Sequence, residues 1–237
     1  KGTRIDVEHL FADLPARRLF LKRPSTETTM CKAVVLEKAM AFPDIAFRFH
    51  DGDVLKVDLP ATSRKQRVLD ALAGDPNVIP AETVELSEQA GKFCLYAVAS
   101  TPAYWRTDRS HIKIYVNNRA IDEFALVQAV TYGYGSMLPG GAYPYCYLFI
   151  DIDPELVDFN IHPAKREAKI RNKAEVHHAV VQMIKRHISQ TLAHIPIAMV
   201  QPTDRQFDFS GERQAKYVKS GRTAQSGLPQ AVVDSPA

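Results

Sequence analysis

The stretch HIKIYVNNRAIDEFALVQAVTYGY, residues His111–Tyr134, decides the class of fold that this chain adopts. Its first six residues favour a strand, and Asn117 and Asn118 follow as a turn. From Asp122 the apolar residues recur at helical spacing, which predicts a helix to about Tyr134. Phe124, Val127, Val130 and Tyr134 share one face of this helix. A strand, a tight turn and a helix therefore follow one another directly.

The segments on either side repeat this alternation of strands and helices. The predicted strands lie near 83–86, 92–99, 145–151 and 156–161. Predicted helices run over 64–73, with Gly74 as a C-terminal cap, and over 173–192, with Asn172 and Glu175 as a capping box. This alternation predicts the α/β class, as an α+β arrangement around a mixed sheet.

The N-terminal quarter has its own pattern of elements. Thr3–Leu10 alternates and predicts a half-buried strand, and Pro15 predicts the first turn of a helix. Ser25 and Thr26 are N-cap residues for a helix to about Phe42. A hairpin follows, for which Asp51-Gly52 predicts the turn.

Composition changes divide the chain into three parts. The connector LPATS, residues 59–63, marks the predicted boundary between a first domain, 1–62, and a second domain, 63–194. From residue 195 to 237, Pro, Gln, Ser, Gly and Thr become common and periodicity fades, which predicts a flexible linker. The chain opens on Lys1, and we expect it to be a fragment of a longer protein.

Charge and cysteine content exclude several classes of protein. The formal charge of +3 is too small to predict nucleic-acid binding by itself. No run approaches the roughly 18 consecutive apolar residues of a membrane span, and no signal peptide opens the chain. Cys31, Cys94 and Cys146 have neither metal nor disulfide spacing. They predict three core thiols and an intracellular, reducing location.

Basic residues form clusters that allow two interpretations. The clusters are Arg17, Arg18, Lys22 and Arg23; then Arg64, Lys65 and Arg67; then Lys165, Arg166, Lys169, Arg171 and Lys173. If they share one face, they form a groove for the phosphates of DNA. Each cluster taken alone is better explained as a solvated face. Both interpretations stay open on the sequence alone.

The stretch VDFNIHPAKREAKI, residues Val157–Ile170, contains a bend that presents a lysine. The step His162-Pro163 removes a backbone donor and restricts the preceding residue, so it closes the first strand. Lys165 follows two residues later on a short, constrained loop. A compact ammonium held in this way suits a terminal phosphate. The local pattern alone favours a solvated loop lysine.

Three blocks of the sequence resemble the MutL family of DNA mismatch repair proteins, in family order from Gly2 to about Leu192. They are GTRIDVEHLFADLPARRLFLKR, IKIYVNNRAIDEFALVQAV and VDFNIHPAKREAKI. Members of this family are ATPases of the GHKL type, related to gyrase B. The resemblance implies the C-terminal part of a nucleotide-binding domain. It also implies a two-layer second domain that resembles the ribosomal-protein-like transducer fold of GHKL ATPases.

The resemblance also assigns site residues. It implies that Lys165 contacts the γ-phosphate of ATP and that Gly2 and Thr3 lie in the nucleotide site. Arg119 is the implied DNA contact, in a sequence where Asn118 stands in place of the family's Gly and the acidic AIDEF follows. Further DNA candidates come from the basic clusters: Arg17, Arg18, Arg64 and Lys65.

The resemblance implies a division of labour between this fragment and the intact protein. The intact protein is expected to bind ATP and Mg²⁺ and to hydrolyse ATP. The catalytic Glu, the magnesium-holding Asn and the lid motif are expected before Lys1. The fragment alone is therefore expected to hold no catalytic residue or metal ligand, to bind no cofactor and to be inactive.

The implied function is an ATP-gated switch that binds DNA and couples mismatch recognition to downstream repair. Its implied partners are DNA, mismatch-recognition proteins and other repair proteins, with no membrane and with a dimer in the intact protein. Two alternatives remain: a non-catalytic nucleic-acid-binding module, which needs only the basic clusters, and the transducer domain of a topoisomerase-type GHKL protein.

Overall fold

The computed structural model describes residues 2–73, 75, 80–160 and 166–193, with side chains to residue 190. These residues belong to one compact unit that ends at Pro196. Lys165, the predicted cap Gly74 and the predicted linker 195–237 lie outside the described residues. None of the described helices combines the length and apolar character that a membrane span requires.

The first part of the chain forms two helices and a hairpin. Their bounds are α1, Pro15–Leu19; α2, Pro24–Ala41; β1, Phe47–Asp51; and β2, Val54–Leu59. A small core of Ala39, Val57 and Leu59 joins the end of α2 to the hairpin. Because Pro24 supplies a preset φ and lacks a donor, it starts α2 in the first turn.

The described residues of the second part of the chain form three α-helices and nine strands. Its helices are α3, Arg64–Leu72; α4, Phe124–Tyr134; and α5, Lys173–Ala193. Its strands are β3, Thr83–Ala90; β4, Phe93–Ser100; β5, Trp105–Arg106; β6, Ile112–Val116; β7, Arg119–Ile121; β8, Tyr143–Pro144; β9, Cys146–Ile152; β10, Val157–Asp158; and β11, Lys169–Ile170.

A five-stranded sheet in the order β3-β4-β9-β6-β7 organises this part. The pairs are antiparallel except for β6 and β9, which run parallel, so the sheet is mixed. The connection from β6 to the parallel strand β9 passes through α4, as a parallel crossover requires. The predicted mixed α/β class is confirmed.

The two faces of the sheet bury different side chains. One face packs aliphatic residues such as Leu95, Ile114 and Leu148 against α4 and α5. The opposite face, here called the tyrosine face, carries Val98, Tyr96, Tyr115, Tyr147 and Phe149. It packs against Val68 of α3 and Met40 and Ala41 at the end of α2. Helix α2 and the sheet therefore share a core.

Arg67 ties the first part of the chain to α3. It is 0% exposed, and its guanidinium donates hydrogen bonds to the carbonyls of Pro43, Ile45 and Pro60 at 2.9, 2.8 and 2.7 Å. It also lies 5.7 Å from the ring centroid of Phe47. Burial lowers the pKa of Arg67, the expected direction for a cation held away from water. Arg67, a member of the second basic cluster, is therefore a buried structural residue.

The turn between β6 and β7 uses asparagine in an unusual way. Asn117 and Asn118 have φ angles of +46° and +63°, which suit a tight hairpin turn. The Asn117 amide donates to the carbonyl of Ile152 and accepts from its N–H, both at 2.9 Å. The side chain therefore extends the pairing with β9 by one position beyond β6.

Several local predictions were wrong, each for a physical reason. Thr3–Leu10 is not a strand: no described strand pairs with it, and Ile5 and Val7 are 82% and 76% exposed. Helix α2 starts at Pro24, so Ser25 and Thr26 lie inside its first turn. The hairpin turn is centred one residue later than predicted, because Asp51 pairs with Val54 and Gly52 takes the positive φ of +58°.

The prediction of three core thiols was also wrong. Cys31 and Cys94 are exposed, and Cys146 alone is buried. Cys31 lies on the uncovered side of α2, and Cys94 points away from the core at the start of β4. Burial raises the pKa of the Cys146 thiol to about 12, so that thiol stays protonated.

Replacing Gly133 with Ala should destabilise the protein by about 1–3 kcal/mol. An added Cβ would lie 2.6 Å from Cβ and 2.7 Å from Cγ2 of Ile184, where α4 crosses α5. This clash should outweigh the roughly 1 kcal/mol by which Ala favours a helix over Gly. Urea unfolding measures the change, with Gln128→Ala on the same helix as control; a stabilised Gly133→Ala protein would contradict the close packing.

Replacing Arg67 with Met should cost about 3 kcal/mol, since three carbonyls lose their donor and only an unbranched stem remains. Thermal and urea unfolding measure the loss. The matched control is Lys65→Met, two residues earlier and only half-buried, which should cost less than about 0.5 kcal/mol. Equal effects of the two substitutions would show that the three hydrogen bonds contribute little.

Candidate functional site

The segment that carries Lys165 is closed at its base by the described residues on both sides. Val157 pairs with Ile170 and Asp158 pairs with Lys169 in the short ribbon of β10 and β11. The N–H of Arg171 donates to the carbonyl of Leu156 at 2.9 Å. These contacts bring Val157 and Asp158 next to Ile170 and Lys169.

Arg166, the residue bonded to Lys165, is held from two directions. Its carbonyl accepts a hydrogen bond of 2.7 Å from the N–H of Asp122, just after β7. Its guanidinium lies 3.5 Å from carboxylates of both Glu37 on α2 and Asp122. The end of the lysine segment is therefore fixed where helix α2 faces the edge of the sheet.

The two acidic residues after Arg119 neutralise members of the third basic cluster. Asp122 pairs with Arg166 at 3.5 Å, and Glu123 pairs with Lys173 at 2.9 Å. Glu123 also caps α4, since its carboxylate accepts from the N–H of Ala125. The acidic AIDEF stretch is thus used locally, and two cations of the cluster are committed to it rather than facing solvent unpaired.

Arg119 lies beside the other flank of the lysine segment. Its guanidinium is 4.8 Å from the ring centroid of Phe159, a cation–π contact that leaves the charge at an exposed side chain. Arg119 begins β7, and Phe159 follows β10. The structure therefore brings the predicted DNA contact next to the segment of the predicted nucleotide contact.

The remaining predicted residues lie elsewhere. Gly2 and Thr3 are exposed, and among the described residues neither joins another element by a hydrogen bond or ion pair. Arg17 and Arg18 are exposed on α1, a helix with no buried residue. The roles of Gly2 and Thr3 in binding ATP, and of Arg17 and Arg18 in binding DNA, remain predictions.

Arg64 and Lys65 lie on α3 against the tyrosine face. The Arg64 guanidinium is 4.6 Å from the ring centroid of Phe149 and 5.6 Å from that of Tyr96. Both residues are half-buried. Arg64 thus helps to cover the sheet, and a role for either residue in DNA binding stays a prediction.

Sequence reasoning missed Glu37, the residue of α2 that meets the lysine segment. Glu37 is half-buried and close enough to Tyr115 that its charge, together with burial, raises the pKa of the tyrosine. Its contact with Arg166 spans 129 residues of sequence, so no local pattern could reveal it. In the described part of the chain, no three His, Cys, Asp or Glu side chains are grouped to hold a metal ion.

Sequence comparisons identify the class of protein. Residues 74–189 match the family model described as "DNA mismatch repair protein, C-terminal domain". The DNA mismatch repair protein MutL of Treponema pallidum is 36% identical over 198 residues, which cover 82% of this chain and 31% of that protein. The MutL protein of Symbiobacterium thermophilum is 33% identical over 191 residues, covering 81% and 30%. The chain thus spans about a third of the length of these curated relatives.

Solved structures share the fold. The N-terminal domain of a DNA repair protein matches with a TM-score of 0.58 and 18% identity, covering 78% of this chain and 61% of that one. A lysine-to-asparagine variant of the Aquifex aeolicus MutL ATPase domain matches with a TM-score of 0.51 and 20% identity, covering 75% and 59%. The chain therefore shares its fold with parts of these two structures.

The chain belongs to the MutL family of DNA mismatch repair proteins, as its three sequence blocks predicted. The match at 74–189 falls inside the second domain predicted at 63–194. The comparisons do not favour the two alternatives, a stand-alone nucleic-acid-binding module and a topoisomerase transducer domain. The boundary at residues 62 and 63 remains a prediction.

The Arg166–Glu37 contact should show a small coupling energy, about 0.2–1 kcal/mol, because both side chains are partly exposed. A double-mutant cycle with Arg166→Ala and Glu37→Ala measures it by urea unfolding, and 0.5 M salt should reduce it. The control cycle pairs Glu37→Ala with Arg171→Ala, an exposed arginine five residues later, and should give no coupling. A zero value in the first cycle would remove this anchor.

Proposed function

We propose that this chain is the part of a MutL-type mismatch repair protein that couples ATP binding to engagement of DNA. The observation that carries the proposal is the double anchoring of Arg166 to Asp122 and to Glu37 on α2. It holds the residue next to Lys165 at the junction between the predicted first and second domains. A lysine next to that position can contact a terminal phosphate bound by the first domain.

In the proposed cycle, Lys165 contributes a positive charge to the γ-phosphate of ATP when the site is occupied. The charge-assisted contact favours the arrangement in which the second domain is docked. Loss of the γ-phosphate on hydrolysis removes that preference and releases the docked arrangement. The chain's own part in the cycle is therefore to sense a phosphate, while Gly2 and Thr3 lie in the nucleotide site.

DNA engagement is assigned to the side of the sheet that carries Arg119. The contact of Arg119 with Phe159 supports this assignment, because it links the DNA candidate to the flank of the lysine segment. A shift of that segment that moved Phe159 would therefore change its contact with Arg119. Arg17, Arg18, Arg64 and Lys65 are further proposed contacts with DNA phosphates.

The proposal for the whole protein follows from the family. The intact protein binds ATP with Mg²⁺ and hydrolyses it, acts as a dimer and works inside the cell. Its partners are DNA, mismatch-recognition proteins and other repair proteins. The proposal assigns the catalytic Glu and Asn and the lid motif to the nucleotide-binding domain of the intact protein.

Replacing Lys165 with Ala in the full-length protein should lower kcat/KM for ATP by about tenfold to a hundredfold, the cost of losing a charge-assisted hydrogen bond to phosphate. Steady-state ATPase assays measure the change. Affinity for ADP should change less than twofold, since ADP lacks the phosphate that the lysine contacts.

The matched control is Lys169→Ala, an exposed lysine on β11 that pairs across the ribbon with Asp158. This variant should keep turnover within about twofold of the parent, a change worth less than 0.5 kcal/mol. Unchanged ATPase kinetics in the Lys165→Ala protein would overturn the proposed role. An equal loss of affinity for ADP and ATP would show that the lysine acts on the fold rather than on the γ-phosphate.

A further inference from the structure

A cavity of about 680 Å³ lies between helix α2 and the edge of the sheet formed by β6 and β7. Its volume is in the range of small-molecule sites, roughly 300–1,000 Å³. Its apolar lining comes from both sides of the junction: Ala33, Leu36, Met40, Tyr115, Ala120 and Val127. Arg166 also lines the cavity.

The basic residues around this cavity differ in whether they form an ion pair. Arg166 is engaged by Glu37 and Asp122, as described above. Lys113 and Arg109 also line the cavity, and neither has a carboxylate partner in the described part of the chain. Both side chains are exposed and therefore available to an anionic group.

Arg109 is already positioned by an aromatic ring. Its guanidinium lies 5.2 Å from the ring centroid of Phe124, which lines the cavity and is 55% exposed. An Arg held over a ring keeps its planar N–H groups free to bind a carboxylate or sulfonate in the ring's neighbourhood. Lys113 is the second residue of β6 and supplies a second charge.

The combination restricts the chemistry of a ligand. The apolar lining favours a hydrocarbon or aromatic body, which an inorganic anion lacks. Glu37, Asp122 and Glu123 also line the cavity, and their charges oppose a polyanion such as the DNA backbone. A metal ion is also a poor fit, because the lining contains no His or Cys and both Glu37 and Asp122 are paired with Arg166.

We propose that this cavity binds an amphipathic organic monoanion. The apolar body lies between α2 and the tyrosine face, and the carboxylate or sulfonate lies against Lys113 and Arg109. Because the two walls belong to α2 and to the sheet, such a ligand stabilises their junction by mass action. The assignment does not depend on the proposed ATP or DNA contacts.

The test uses the full-length protein and the aromatic sulfonate 8-anilinonaphthalene-1-sulfonate as the probe. The reporter is the ε-methyl NMR signal of Met40, a residue that is 6% exposed and lines the cavity. The signal is assigned with a Met40→Leu protein. Titration should shift it saturably, and Lys113→Glu should weaken probe binding about tenfold, because an attractive charge becomes repulsive. Lys92→Glu, the same change in the turn between β3 and β4, should leave binding unaltered.

A second variant tests the cavity itself. Ala120→Phe adds a ring from β7, which lies opposite Tyr115, and should abolish the shift of the Met40 signal. If that variant fails to fold, Ala33→Trp fills the cavity from α2 instead. A Met40 signal that stays still while probe fluorescence rises would place the probe elsewhere and overturn the proposal. Equal affinity of the Lys113→Glu and parent proteins would also overturn it.

Discussion

The buried guanidinium of Arg67 is the constraint on which the junction of this structure depends. It satisfies three carbonyls from two separate turns of the first part of the chain while standing on a helix of the second. All three hydrogen bonds come from one nitrogen, Nη2, so a replacement would need a donor nitrogen at the same distance from the helix. The hairpin, α3 and the tyrosine face are therefore built as one body, and helix α2 is held at a defined distance from the sheet.

The position of α2 against the sheet allows Arg166, at the end of the lysine segment, to pair with Glu37. Arg166 reaches α2 only because the hairpin and the end of α2 are packed on the sheet. The ion pairs themselves are partly exposed and contribute little to stability. Together with the hydrogen bond from Asp122, they instead fix the position of Arg166. The buried packing thus stabilises this junction, and the polar contacts of Arg166 determine where that residue lies.

The alternation of strands and helices, the Asn117-Asn118 turn and the family could all be predicted from the sequence, because periodicity and short motifs are local signals. The exposed start of the chain misled that reasoning, since alternation at Ile5 and Val7 does not guarantee a pairing partner. Arg67 was read as a surface cation, and the partners of Arg166 were missed. Contacts across more than a hundred residues leave no local signature.

Asn117 carries a chemical vulnerability as well as a structural role. Its amide serves as both donor and acceptor for Ile152, so each atom of the group has a separate task. Asparagine is among the thermolabile residues of proteins. Slow hydrolysis of this amide to a carboxylate would replace the donor by a second acceptor facing the Ile152 carbonyl. Protein molecules in which Asn117 has been hydrolysed would lose the hydrogen bond to the Ile152 carbonyl at the end of β9, while the apolar contacts of the core would stay.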